Sequence, residues 1–250
     1  MRVVSYTLHL VTYLDILGFR ELIKHRSAGA ISKMIRLVRE AAAPDSEDKK
    51  ELKQEFEHFS DLVIITTPIY SPENVEFPIG LAFAELLKLA IAQARLIDEG
   101  ILVRGALTIG NLVRSYNVVY GPGLIRAYEL EHDHALFPRI VVDKLLLREL
   151  KANPALRHHD YETEIKEIRG LIRKDYDGVY FVDYLSAIES ELRDHDTYFK
   201  FLSTHRELIK KGLRKFVNRK SIRRKYLWLR KYHNSTVSNL RRNFGKPLIA

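Results

Sequence analysis

Two aspartates, Asp15 and Asp61, are the residues of this chain best placed to do chemistry. Each sits at the end of a short apolar strand pattern, in HLVTYLDILGF (residues 9–19) and FEHFSDLVIITTP (residues 56–68). A carboxylate in such a run stands beside a core, which costs several kcal/mol unless a cation or hydrogen bonds compensate. Two of them suggest a metal site. Mg²⁺ and Mn²⁺ take a couple of carboxylates and complete their shells with substrate phosphates and water, which is the arrangement used in two-metal phosphoryl transfer. The plainer alternative makes Asp15 a helix cap and Asp61 a turn residue after Ser60. Gly18, in the connection after Asp15, lets the backbone approach a phosphate, or serves only the turn.

The chain has no cysteine, so a metal here must be held by oxygen or imidazole. His132 with His134, and His158 with His159, lack the i, i+4 spacing of a zinc helix and read as surface histidines. With 250 residues, 46% of them hydrophobic, the chain can bury a sizeable core. The division expected is a catalytic domain over residues 1–185 and a basic helical extension over residues 186–250. No run approaches the roughly 18–20 apolar residues of a membrane span, and the N-terminus lacks signal-peptide character, so a cytoplasmic location is expected. The net charge of +9 is unevenly spread, since residues 197–250 hold 16 of the 41 Lys and Arg and one acid, Glu207. Such asymmetry fits nucleic acid, a membrane surface or an acidic partner, and equally a solvated helix face.

The elements that must position the aspartates follow from periodicity. A strand is expected over residues 7–16, a helix from Gly18 to about Ala43, and a polar stretch, PDSEDKKE. Two short strands follow over residues 54–67, then a helix over residues 78–98 that is apolar on nearly every side. ILVRGALTIG and LVRSYNVVY read as two strands joined by a turn at Gly110 and Asn111. GPGLIRAYELE starts a helix, residues 138–143 read as a strand, and a charged connection leads to about residue 176. DGVYFVDYL reads as a further strand, and a long basic helix is expected from Thr197 to Tyr232, with Tyr226, Trp228 and Tyr232 as a core stripe rather than a base-stacking surface. The order is βαββαβ, an α+β, ferredoxin-like core with added strands and a basic C-terminal helical extension. In that topology the end of the first strand lies beside the start of the third, so Asp15 and Asp61 meet at one sheet edge.

YLDILGF, FSDLVIIT, VRGALTIG and VYGPGLIRAYELE, in that order, resemble the catalytic core of class III nucleotidyl cyclases over about residues 8–132. Within that superfamily the chain most resembles the bacterial pyrimidine cyclases of anti-phage defence, the Pycsar cyclases, including DYDGVYFVDYL and KYLWLRKYHN. The resemblance implies conversion of UTP, or else CTP, to a 3′,5′-cyclic monophosphate that a separate effector reads. It implies two Mn²⁺ or Mg²⁺ ions on Asp15 and Asp61, with a backbone carbonyl from Ile16, and triphosphate contacts from Gly18 and Phe19. It also implies a homodimer with sites at the interface, for which the helix over residues 78–98 and the hairpin over residues 101–120 are the expected surfaces.

Four positions bear on the purine cyclases, which carry Lys or Glu at the first, and the chain departs from them at the other three. Their base selectors align with Glu57 and Val118, and their transition-state Asn and Arg align with Ile125 and Glu129. Arg104 and Arg126 are the candidates to supply the missing cation at the nucleotide. Arg126 is one position off on its helix, about 100° around. Arg104 stands in a core strand and is read as a ligand-facing charge, with a structural ion pair as the alternative. A nucleotide-sensing module without catalysis, an adenylate or guanylate cyclase, and nucleic-acid binding through the extension are the competing functions.

Overall fold

The computed structural model describes residues 5–42, 54–72, 79–115, 118–192 and 194–244. Strand β1 (Thr7–Ile16) alternates strictly. Leu10, Leu14 and Ile16 enter the main core, while Val11 and Tyr13 join a smaller cluster on the other face. Asp15 shares the face of Val11 and Tyr13, since successive side chains of a strand point to opposite sides.

β1 lies between β3 (Leu62–Pro68) and β4 (Val103–Ser115), antiparallel to both, and β2 (Glu55–Phe59) hairpins onto β3. With β5 (Val118–Tyr120) on β4, and β6 (Ile140–Val142), β7 (Ile172–Lys174) and β8 (Tyr180–Val182) beyond it, the sheet runs β2-β3-β1-β4-β6-β8-β7. The first four strands have the expected βαββαβ order, and the α+β architecture is the one the pattern implies.

Helices α1 (Phe19–His25), α2 (Ala28–Ala42) and α3 (Leu81–Asp98) follow β1 and β3. α3 is buried along most of its length, and its one buried acid, Glu85, accepts from Thr12 Oγ1 at 2.6 Å and Gln54 Nε2 at 2.8 Å. It packs on α2 and on helices from the second half of the chain. α3 is therefore enclosed within the chain and does not offer the subunit surface expected of it.

Several expectations are corrected. The helix expected over residues 18–43 breaks into α1 and α2, where Arg26 takes an extended conformation. Gly110 and Asn111 make no turn: β4 runs straight through them, and Gly110 instead lets Gly123 of α4 (Pro122–His134) press against the strand, where a Cβ would collide. The charged connection contains α5 (Lys144–Ala152), a 3-10 turn (Pro154–Leu156) and α6 (Tyr161–Leu171), capped by Asp143, Asn153 and Asp160. The stretch over residues 44–51 and the β4–β5 turn at residues 116–117 lie outside the described residues.

After α7 (Tyr184–Glu191), the expected long helix is two helices, α8 (His195–Lys215) and α9 (Lys220–Phe244). They cross where Gly212 has no side chain, because the Tyr226 ring fills the space of its Cβ. Trp228 and Tyr232 are core residues: Trp228 stacks on Phe137 at 5.5 Å and Tyr232 packs edge-on against Phe181 at 5.3 Å. The Tyr232 hydroxyl donates to Asp183 at 2.6 Å and accepts from the Leu185 N–H at 3.0 Å. Buried aromatic pairs of this kind add about 0.5–1.5 kcal/mol each beyond their area. Among the described residues no helix is long and apolar enough to cross a membrane.

Candidate active site

The register sets Asp15 between Leu62 on β3 and Arg104 on β4. Asp61 precedes Leu62, at the end of a two-residue turn in which Ser60 takes a left-handed φ of 60°. That conformation costs a non-glycine residue about 1–2 kcal/mol, and it brings Asp61 back beside Asp15. The two carboxyl groups come within hydrogen-bonding reach of one another. Burial and then the Asp61 carboxyl push Asp15 up to about 7, against the opposing pull of Arg104.

Arg104 donates from Nε to Asp15 Oδ2 at 3.0 Å, with Nη2 at 3.0 Å from the same oxygen. Its Nε also stands 2.8 Å from Glu131 Oε1 on α4. The Nε hydrogen points at Asp15, so the Glu131 contact is Coulombic and leaves that Oε1 without a hydrogen-bond donor. Glu131 is buried, and burial raises its carboxyl while Arg104 opposes the rise. Arg104 is thus both ion-paired and turned toward the acids, with 26% of its side chain exposed.

Two further groups border the acids. Tyr13 is pushed up to about 12, first by burial and then by Glu131, Asp15 and Tyr128; it meets the Tyr128 ring edge-on at 6.1 Å. Lys225 reaches in from α9, where burial and then Arg104 lower its ammonium while Asp15 opposes. Sequence reasoning missed Tyr13, Glu131 and Lys225 as site residues. Glu131 was legible as the residue one helical step from Tyr128 in YELE, whereas nothing in spacing ties Lys225 to Asp15.

The remaining expected residues divide. Gly18 takes a φ of 79°, and a Cβ built there would meet nothing within 4 Å, so its backbone faces open space. Ile16 buries its side chain and keeps only its carbonyl for a ligand. Phe19 belongs to the main core, so a triphosphate would meet its backbone and not its ring. Arg126 forms a two-pronged pair with Asp143, whose oxygens also accept from Thr108 and the Leu145 N–H. Glu57 is taken by Arg114 at 2.8 Å, and Val118 and Ile125 are exposed. His132, His134, His158 and His159 are exposed, as expected.

Among the described residues no cluster of three or more His, Asp or Glu side chains is arranged around a common ion. The Asp15–Asp61 pair still suits hard divalent cations. Two crowded carboxyl oxygens are relieved by a cation, and ions such as Mg²⁺ take their other ligands from substrate and water.

No family model matches the sequence, and no curated protein matches it. Among solved structures, the guanylyl cyclase domain of the RhoGC fusion protein from the aquatic fungus Blastocladiella emersonii aligns at 13% identity and a TM-score of 0.46, over 71% of this chain and 95% of that one. The adenylyl cyclase CyaB from P. aeruginosa aligns at 15% identity and a TM-score of 0.44, over 72% and 95%. The guanylyl cyclase Cya2 aligns at 10% identity and a TM-score of 0.43, over 72% and 93%. Likenesses this loose assign no chemistry, which must come from the chain's own residues.

Proposed function

We propose that the protein is a metal-dependent nucleotidyl cyclase that converts a pyrimidine nucleoside triphosphate, UTP before CTP, to the 3′,5′-cyclic monophosphate and pyrophosphate. The observation that carries this reading is the convergence of Asp15 and Asp61 at one sheet edge, beside an arginine and an open glycine turn. In the reaction the 3′-oxygen bonds to the α-phosphorus, the bond from that phosphorus to the bridging oxygen breaks, and the hydroxyl proton passes to solvent as pyrophosphate leaves.

Asp15, Asp61 and the Ile16 carbonyl would hold two Mn²⁺ or Mg²⁺ ions. When bound, such ions supply Lewis acidity at the attacking oxygen and neutralise charge on the departing pyrophosphate. Gly18 and the Phe19 backbone leave room for the triphosphate. Arg104 presents a guanidinium to phosphate oxygens, with Glu131 Oε1 ready to accept the Nε hydrogen that Asp15 now takes.

Preference for a pyrimidine is supported by the purine-selector positions, since Glu57 is engaged by Arg114 and Val118 offers no polar group. The resemblance to Pycsar cyclases supports a second-messenger role in anti-phage defence, with a separate effector reading the product. A second copy of the chain fits the exposed apolar side chains of α4 and β5, Ile125, Tyr128, Val118 and Tyr120. Incubation with each of the four triphosphates and Mn²⁺, followed by separation of products, should give cyclic UMP first and cyclic CMP second. No cyclic product from UTP or CTP would remove the claim.

A non-catalytic nucleotide sensor is the second reading, favoured by the engagement of Arg126 with Asp143 and by Ile125 and Glu129 at the transition-state positions. It predicts that UTP raises the thermal midpoint without turnover.

A further inference from the structure

Between Lys211 and Lys225 the chain carries eight cations and no acid. An exposed charge run on a helix is ordinarily a solvated face, and seven of the eight are exposed. Three contacts fix where this run lies. Arg219, in the α8–α9 turn, pairs with Glu21 of α1 at 2.9 Å, three residues after the Gly18 turn. Arg224 lies over the Phe137 ring at 5.4 Å, just past the end of α4 that carries Glu131. Lys225, the eighth cation, is half-buried within electrostatic reach of Asp15 and Arg104.

Lys225 makes no hydrogen bond or ion pair with a described residue. A half-buried ammonium favours an anionic neighbour, and the oxygens of a phosphate are one that suits this position. Asp15 does not fill that role, because it lies beyond ion-pair distance and is already held by Arg104. Lys225 on α9 and Arg104 on β4 act electrostatically on one another and on the same edge as Asp15, and Gly18, three residues beyond Asp15, has open space where a Cβ would stand. An anion with several oxygens suits such an edge.

We propose that the basic α8–α9 hairpin is the polyphosphate-binding arm of the carboxylate site, and that Lys225 is the residue that reaches the β- and γ-phosphates of the bound triphosphate. The proposal rests on the cyclase reading for the identity of the ligand. It gives the C-terminal extension a place in the site supplied by the same chain. The exposed cations from Lys211 to Arg224 then steer the anion toward Lys225.

The test uses Lys225→Met, which keeps the aliphatic stem, and Lys225→Arg, which keeps the charge. With full-length protein and excess Mn²⁺, inhibition by inorganic tripolyphosphate isolates phosphate binding from base and ribose. Lys225→Met should raise the inhibition constant and the KM for UTP in parallel by about tenfold or more with kcat little changed, and Lys225→Arg should recover most of the loss. Thermal midpoints within a few degrees of the parent's would show that both variants fold. A parent that turns over UTP beside a Lys225→Met variant with unchanged tripolyphosphate inhibition overturns this proposal and leaves the cyclase reading standing. Direct tripolyphosphate binding that depends on Lys225, in a parent that forms no cyclic product, upholds the arm and sinks the cyclase reading instead.

Discussion

Arg139 and Arg104 each stand against two carboxylates, in surroundings that differ in burial and in the donors supplied to the acids. Arg139 is fully enclosed: it pairs with Asp175, reaches Asp177 Oδ2 at 2.6 Å and donates to the His134 carbonyl at 2.8 Å. The acids around it have further donors, since Trp228 Nε1 and the Tyr176 N–H serve Asp175 while the Val179 N–H serves Asp177. Burial alone would raise Asp177, but Arg139 and the backbone donors outweigh it and hold the carboxyl below its ordinary value. Around Arg104 the outcome is reversed. Asp15 rises to about 7 beside another acid, and Glu131 keeps an oxygen with no donor. A cluster whose oxygens are all supplied with donors is a fastener. One left short of positive charge and partly open is waiting for a cation or a ligand.

The contrast is broken most directly by removing each arginine. Arg139→Met strands two acids in the interior and should cost about 3–5 kcal/mol, much of a domain's usual margin. Arg104→Met, at a partly exposed edge, leaves the buried Glu131 unpaired and should cost less, about 1–3 kcal/mol. Urea unfolding of the two variants measures the difference, and equal losses would erase the distinction between fastener and site. The reverse asymmetry belongs to activity. Asp15→Ala should lower kcat by about a hundredfold to a thousandfold, the scale for losing one preorganised electrostatic group. Its thermal midpoint should hold or rise, because a crowded carboxyl pair has been relieved; a fall in both would make Asp15 a structural residue.

A second enclosed cluster gives a smaller, pH-dependent effect. His205 Nδ1 lies 3.0 Å from His233 Nδ1, and the Tyr184 hydroxyl meets His205 Nε2 at 2.8 Å. Burial, followed by His233, lowers His205 to about 3; burial, followed by Arg206, lowers His233 to about 4. In the unfolded chain both would titrate near 6.5. Their contribution to stability is therefore complete above pH 6.5 and declines as pH falls from there toward 4. The loss is up to about 1.4 kcal/mol per pH unit for each group. Denaturant midpoints between pH 7 and 4.5 should fall in the parent and fall less in His233→Phe.

The carboxylate edge was legible because both aspartates sit in strand patterns whose topology has one antiparallel solution, so a local pattern implied a contact between distant residues. Gly18 was legible for a similar reason, as a break between two periodicities. Phe19's position in the motif says nothing about which way the ring turns, and the core takes it, which leaves the backbone for a ligand. The pairing of Arg126 with Asp143 was not legible, because Asp143 looks from sequence like an ordinary cap, which it also is. The C-terminal run showed only its charge. That Trp228 and Tyr232 lock α9 to Asp175 and Asp183 joins two segments quoted for the resemblance, DYDGVYFVDYL and KYLWLRKYHN, but neither segment alone announces the contact, which brings Lys225 to the edge.

Glu131 sharpens the comparison with the smallest change. In the enclosed cluster, deleting one acid's charge would only loosen a fastener. At the open edge, Glu131 competes with Asp15 for Arg104, and its free Oε1 is where the Nε hydrogen can go when cations approach Asp15. Glu131→Gln keeps the shape and removes that pull, so Arg104 should hold Asp15 more firmly. The Mn²⁺ concentration for half-maximal cyclase activity should then rise about fivefold to tenfold, on the order of 1 kcal/mol. Activity at saturating Mn²⁺ should change little, and so should the denaturant midpoint. An unchanged Mn²⁺ requirement would mean that Arg104 does not move between the two acids, and that Glu131, like Asp177, serves the fold alone.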